Sequence, residues 1–355
     1  MKDALPVILD ALAEPVFLVD AKRRILVANQ AAEKLFGTGL AERDFVHAIR
    51  HPDALSCVDE VLAGRDAREA IMTLPGPVRS TFRISAVRLR ESNAIGAAAV
   101  VSLTDISHVL EAEQMRSDFV ANVSHELRSP LTALMGGIAT LKGAARDDPA
   151  ARERFLDTME REAARMDRLV GDLLSLSRVE VNEHVRPSGR VNLATIIEKA
   201  IDAMATQSRA ENRPIACAIP DGDWEITGDA DELTQVFHNL IDNALKYGRE
   251  NSEIRISAEQ RDHVPGMQVP ALAVHVQDEG EGIDSEHLLR ITERFYRVDD
   301  SRSRQKGGTG LGLAIVKHIL NRHRGRLLIE SEKGVGSTFT VCLPLELDVQ
   351  KRELS

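Results

Sequence analysis

Between Ser107 and Arg178 the chain carries few residues that would stop a helix. Phe119, Val123, Leu127, Leu131, Leu134, Ile138 and Leu141 recur at spacings of three and four, which puts them on one stripe of a helix. Asp147-Asp148-Pro149 supplies a turn, and a second stripe runs through Met159, Ala163, Met166, Val170, Leu173 and Leu176. Two such helices fold back into an antiparallel hairpin whose apolar faces cannot be covered by one another alone. A second copy of the chain would complete a four-helix bundle, so a homodimer is expected.

The flanks read differently. Pro15-Val-Phe-Leu-Val-Asp20 and Arg24-Ile-Leu-Val-Ala-Asn29 predict a hairpin, with Ala21-Lys-Arg as its turn. A helix through Gln30 to Phe36 follows and stops at Gly37. Strand-like alternation returns near Ser80 to Leu89 and Ala97 to Leu103. Beyond the linker Arg186-Pro-Ser-Gly189, helices near Leu193–Arg209 and Ala230–Tyr247 alternate with four strands. These lie near Glu253–Glu259, Ala271–Gln277, Arg326–Ser331 and Ser337–Leu343, an order that predicts a two-layer α/β sandwich. The expected divisions are 1–107, 108–185 and 190–348.

At 355 residues, three such pieces can each bury a core. A net charge of -10 argues against a nucleic-acid surface, which needs a basic stripe. Cys57, Cys217 and Cys342 have no paired spacing, so neither a disulfide frame nor a zinc site is expected. No window of about 18 apolar residues occurs. The expectation is a cytoplasmic chain; an anchor ahead of Met1 in a longer parent would add inner-membrane association.

Three clusters carry chemistry. His125 lies mid-helix, with Glu126 beside it and Ser129 one turn on. An imidazole titrates near neutrality, so one ring nitrogen can act as nucleophile while a carboxylate orients or removes the proton on the other. Pro130 should bend the helix just past it. A zinc-protease motif fails, because position 129 is serine rather than histidine. Asn239 and Asn243 share a helix face, with Lys246 and Tyr247 a turn further on. An amide oxygen is a neutral hard ligand suited to Mg²⁺, and an ammonium suits phosphate oxygens. Asp278-Glu-Gly280-Glu-Gly282-Ile283 follows a strand, and its carboxylate can accept from an adenine amino group. Gly308-Thr309-Gly310-Leu311-Gly312-Leu313 opens a helix whose first amides can receive phosphate. Neither the dinucleotide fingerprint nor a P-loop is present.

Ser124-His-Glu-Leu-Arg-Ser-Pro-Leu131 resembles, residue for residue, the phospho-acceptor box of sensor histidine kinases. Asn239-Leu-Ile-Asp-Asn-Ala-Leu-Lys246 resembles their N box, Glu293-Arg-Phe-Tyr-Arg297 their F box, and the two glycine segments their G1 and G2 boxes. Gly334-Val-Gly336-Ser-Thr338 is similar to the third glycine box. The chain is thereby identified as resembling a two-component sensor histidine kinase of the HisKA plus Bergerat-fold ATPase type. The region before Ser107, with Val19-Asp20 and Asp105-Ile106 as cues, resembles a PAS domain. The whole looks most like the phosphate-regulon sensors.

The resemblance implies that His125 accepts the γ-phosphoryl group of Mg-ATP, that Glu126 is the base, and that Ser129 assists dephosphorylation of a partner. It implies Asn243 as the Mg²⁺ ligand. Asn239, Lys246, Tyr247, Asp278, Gly280, Gly282, Ile283, Phe295, Arg297, Gly308, Thr309, Gly310, Leu311, Gly312, Leu313 and Thr338 would line the nucleotide. The Ser- and Arg-rich stretch from Val298 to Gly307 would form a lid, and the partner would be a response regulator's receiver domain. Ile106, Val109, Leu110 and Met115 suit a coil relaying signals from the PAS-like module, whose ligand is unreadable; His47, His51 and Cys57 are its weakest candidates. Rival readings are an ATP-gated machine of the Hsp90 and gyrase kind, disfavoured by the acceptor box, and a scaffold with a decayed pocket, disfavoured by the intact Asn243, Asp278, Gly310 and Gly312.

Overall fold

The computed structural model describes residues 4–75, 80–89, 96–220, 222, 224–298 and 308–345. The chain forms two compact units, Met1–Ala121 and Asn122–Ser355.

The first unit starts with α1 (Ala4–Asp10), then the hairpin β1 (Val16–Val19) and β2 (Ile25–Ala28), and α2 (Gln30–Phe36). Asn29 ties these together from a fully buried position. Its side-chain oxygen accepts from Val16 N and Ala32 N, capping α2, while its amide donates to the carbonyls of Leu9 and Glu14. Gly37 ends α2 at φ 94, as expected of a residue needing left-handed backbone. Next come α3 (Pro52–Leu62), β3 (Ala67–Leu74), β4 (Ser80–Arg88) and β5 (Ala99–Asp105). The antiparallel sheet runs β2-β1-β5-β4-β3. Phe17, Phe45, Ile84, Leu103 and Met72 fill its core, with Cys57 among them as an ordinary buried side chain. His51 sits at the N-cap of α3 and His47 is exposed.

One helix, α4 (Ser107–Lys142), runs across the boundary between the units and through Pro130 without interruption. Asp148 caps α5 (Pro149–Val181) by accepting from Ala151 N. The inward face of α5 in a single chain shares only part of the expected stripe. Ala163 and Val170 are exposed, and the buried positions are Ala151, Arg165, Leu169, Leu176 and Val179. An arginine at 165 hides this face from a periodicity reading, because charged residues are normally assigned to solvent.

Beyond the hairpin follow β6 (Arg190–Asn192), α6 (Leu193–Ala210), β7 (Ile215–Ala218), β8 (Glu225–Thr227) and α7 (Ala230–Tyr247). Then come β9 (Ile254–Arg261), β10 (Ala271–Asp278), α8 (Ser285–Leu288), α9 (Gly312–Arg322), β11 (Arg326–Glu332) and β12 (Gly336–Pro344). The main sheet runs β11-β12-β10-β9-β7, antiparallel except where β7 joins β9 in parallel, and β6 pairs with β8. On α7, Leu233, Val236, Phe237, Leu240, Ile241, Ala244 and Leu245 are buried at three- and four-residue spacing. That face packs on β9 and β10, with α6 and α9 alongside, and gives the expected two layers.

His323, just past α9, is buried at 1% exposure. Its Nδ1 lies 2.8 Å from Ile319 O and its Nε2 3.0 Å from Asp229 N, the residue that caps α7. Only the neutral ring satisfies both contacts, donating from Nδ1 and accepting at Nε2. Burial pushes its pKa below the ordinary 6.5. The unfolded chain therefore takes up a proton that the folded chain refuses. The stabilisation is complete above pH 6.5 and is lost as pH falls below it, with a slope of at most about 1.4 kcal/mol per pH unit. His323→Gln, which keeps one donor and one acceptor, should flatten the decline in melting temperature between pH 7 and 5. Parallel melting curves for the two proteins would refute this.

Candidate functional site

The acceptor segment lies along α4. His125 and Ser129 are exposed, and Glu126 is half-buried. The Glu126 carboxylate is held from two sides. Arg165 Nη2 on α5 donates to Oε2 at 2.6 Å, and Arg297 donates from Nη1 to Oε1 at 3.3 Å and from Nη2 to Oε2 at 3.1 Å. Arg297 was expected from the sequence as a nucleotide residue, whereas Arg165 was not. Its only sequence signal is a charge on the inward side of a heptad-like pattern.

The other predicted residues gather at one end of the sandwich. Asn239 on α7 donates to Gly312 O at 3.2 Å, which joins the first asparagine cluster to the start of α9. Asn243, one turn on, is half-buried. Lys246 does not present a free ammonium, since its Nζ lies 2.6 Å from Asp242 Oδ2. Tyr247 is exposed at the end of α7. Asp278 closes β10 in a buried position; burial pushes its carboxyl above the usual range, opposed by the amides of Gly280, at 2.7 Å, and Ser337. Ile283 N donates to Ser331 Oγ at 2.8 Å, and Thr338 lies on β12 between Gln277 and Glu330.

At two glycines neighbouring backbone leaves no room for a side chain. At Gly282, φ is +67° and an added Cβ would stand 2.0 Å from Glu332 O. At Gly310, φ is +73° and the Cβ would stand 2.9 Å from Phe295 Cα. Phe295 N in turn donates to Gly310 O at 2.8 Å, with Phe295 itself at φ 63. A bulky residue held in the left-handed region carries local strain of the kind that collects at functional sites. The segment opens into a helix later than the sequence suggested. Gly308, Thr309 and Gly310 are loop, buried Leu311 is the N-cap, and Gly312 and Leu313 begin α9. Of the expected lid, Val298 to Gly307, only Val298 is described; positions 299–307 lie outside the described residues.

The hairpin reaches this end of the sandwich. Thr309 Oγ1 donates to Asp172 Oδ2 on α5 at 2.6 Å. Burial pushes the Asp172 carboxyl up, against that hydroxyl and the nearby Lys246 ammonium. Further along α5, Ser175 donates to Gln235, Glu180 pairs with Arg294, and Glu183 meets His318 and Asn321 on α9. Asp172 was invisible to sequence reasoning, being one more polar residue on an amphipathic helix.

An asparagine amide oxygen is a neutral hard ligand that fits Mg²⁺ bound mainly through substrate phosphates, since such a site supplies few protein ligands and leaves room for water. Asn243, half-buried on α7, is the residue that would hold it.

Among the described residues, no helix is long and apolar enough to cross a membrane. The family model for the histidine kinase-, DNA gyrase B-, and HSP90-like ATPase matches residues 228–347. That for the His Kinase A (phospho-acceptor) domain matches 115–182, and a PAS domain model matches 7–69. The chain is 38% identical over 341 residues, 93% of its length, to the phosphate regulon sensor protein PhoR of Pseudomonas aeruginosa, of which it covers 72%. It is 30% identical over 98% of its length to the sensor protein kinase WalK of Staphylococcus aureus, of which it spans 56%. A solved structure of histidine kinase ThkA in complex with response regulator protein TrrA aligns to 95% of the chain at 21% identity and a TM-score of 0.49. With a PAS domain, a HisKA hairpin and an α/β ATPase sandwich in one chain, and a relative this similar over most of both lengths, the protein belongs to the sensor histidine kinases.

Proposed function

We propose that the chain binds Mg-ATP at the α7–α9 end of the sandwich and transfers the γ-phosphoryl group to a ring nitrogen of His125. The nitrogen lone pair attacks phosphorus, the bond to the bridging oxygen breaks, and ADP departs. The proton on the other ring nitrogen is held or taken by Glu126. Asp278 accepts from the adenine amino group, and Asn239, Lys246, Thr309 and Arg297 position the phosphates. Mg²⁺, when bound through Asn243, supplies charge neutralisation on those phosphates. The phosphoryl group then passes to an aspartate of a response regulator's receiver domain. Ser129 with Glu126 would help aim a water that attacks the partner's phosphoaspartate, releasing inorganic phosphate and the free carboxylate.

One observation carries this reading: Glu126, next to the acceptor, is gripped by Arg297 of the ATP-binding fold. It ties the acceptor segment to the pocket by a direct side-chain contact. We take 1–107 as sensor, 108–185 as dimerisation and phosphotransfer hairpin, and 190–348 as ATP-binding domain. Leu131, Met135, Ile138, Leu156, Val170 and Leu174 are exposed along the hairpin, which supports a homodimer that buries them.

Incubation with Mg-ATP followed by peptide mass spectrometry should locate the phosphate on His125, and label should then move to a receiver domain. Sedimentation equilibrium of the same preparation should return a dimer. Phosphate on another side chain would overturn the acceptor assignment, and a monomer would remove the bundle.

A further inference from the structure

The buried end of Arg165 is not accounted for by the phosphotransfer scheme. It occupies a core position of the hairpin, with its side chain 10% exposed, on the same inward face as Leu169 and Leu176. A guanidinium there is costly to desolvate, and a hydrophobic residue of similar volume would ordinarily stabilise a helical core as well or better. Its partners are Glu126, at 2.6 Å, and Glu162 one turn back on α5, at 3.8 Å. The nearer partner is the carboxylate beside the acceptor histidine.

Two guanidiniums share that carboxylate, and they differ in kind. Arg297, 4% exposed, belongs to the ATP-binding fold, and its Nε is buried with no partner among the described residues. Contact with a nucleotide phosphate would draw it away from Glu126. Arg165 stands on the helix that pairs with α4, so its hold on Glu126 does not depend on what Arg297 binds. Bidentate or end-on contact from a planar guanidinium fixes a carboxylate's direction as well as its position.

We infer that Arg165 is a positioning residue for phosphotransfer: it fixes the orientation of the Glu126 carboxylate toward His125 when Arg297 turns to the nucleotide. The inference rests on the function proposed above and adds to it a residue that touches neither histidine nor ATP.

The test is a double-mutant cycle on the full chain, read as initial rates of phosphohistidine formation from γ-³²P-labelled ATP with Mg²⁺. Arg165→Met should lower kcat about tenfold and leave KM for ATP within about twofold, since the lost term belongs to proton handling and not to nucleotide binding. Arg165→Lys, which restores a charge without the planar fork, should recover roughly a third of the loss on a logarithmic scale. In a Glu126→Gln background the Arg165→Met change should cost less than about twofold, because its route of action is already gone. An equal tenfold loss in both backgrounds, or a change confined to KM, would overturn the inference. Should Arg165→Met fail to fold by circular dichroism, Arg165→Gln keeps the long polar stem and runs the same cycle against Arg165→Lys. Absence of label on His125 in the unaltered protein would strike the proposed function instead, which keeps the two failures apart.

Discussion

Glutamine at position 125 should bring acid-labile, base-stable phosphate incorporation from ATP down to background, a loss of at least about a thousandfold. An amide nitrogen has no available lone pair to offer phosphorus, so nothing at that position can replace the imidazole. The substitution is otherwise mild. His125 is exposed on α4, glutamine is a good helix former, and the stability change should stay within about 0.5 kcal/mol. Melting temperature and binding of a fluorescent ATP analogue should therefore match those of the unaltered protein. Retention of even a tenth of the label in an intact, nucleotide-binding variant would place the acceptor elsewhere.

The largest stability effect should come from Gly282→Ala. The new methyl would meet Glu332 O at 2.0 Å, a backbone atom at the end of β11 that cannot swing aside, and the residue would have to hold φ +67°. Gly334 N also donates to Glu281 O at 2.6 Å, so the turn after β10 is pinned to the β11–β12 turn from both sides. Left-handed strain together with a forced backbone shift should cost on the order of 3–5 kcal/mol. For a unit of this size that is a fall of about 10 °C in melting temperature. Asp278 sits four residues before the clash, so ATP affinity should fall with it. Gly312→Ala is the matched control for stability, because its methyl meets nothing nearer than Asn239 Cγ at 3.7 Å. If Gly282→Ala melts within about 2 °C of the parent, the close approach is not what holds the turn.

Much of this architecture could be read from residue spacing, and the parts that could not have identifiable reasons. The α7 helix was legible because its apolar positions repeat cleanly, and the β1–β2 hairpin because a polar turn separates two apolar runs. By contrast β3, Ala-Arg-Glu-Ala-Ile-Met-Thr-Leu, is composed largely of helix formers and becomes a strand only by pairing along the whole of β4. The short β7 is half-exposed and joins β9 in parallel, a long-range pairing with no local signature. In the site, the boxes named the glycines and asparagines, whereas the close approach of neighbouring backbone to Gly282 and Gly310 joins segments far apart in the chain and has no local signature. Arg165, Asp172 and His323 escaped because a lone charged or imidazole side chain on a helix reads as solvated until its partner is seen across the fold.

Pro130 has a consequence of its own. In α4 each main-chain carbonyl receives the amide four residues ahead, and proline has no amide hydrogen to give. The oxygen that goes without is that of residue 126, immediately after the acceptor. The rod is thus softest one step from the atom that must meet two different surfaces in turn, and a small flex at that point reorients the imidazole without unwinding anything.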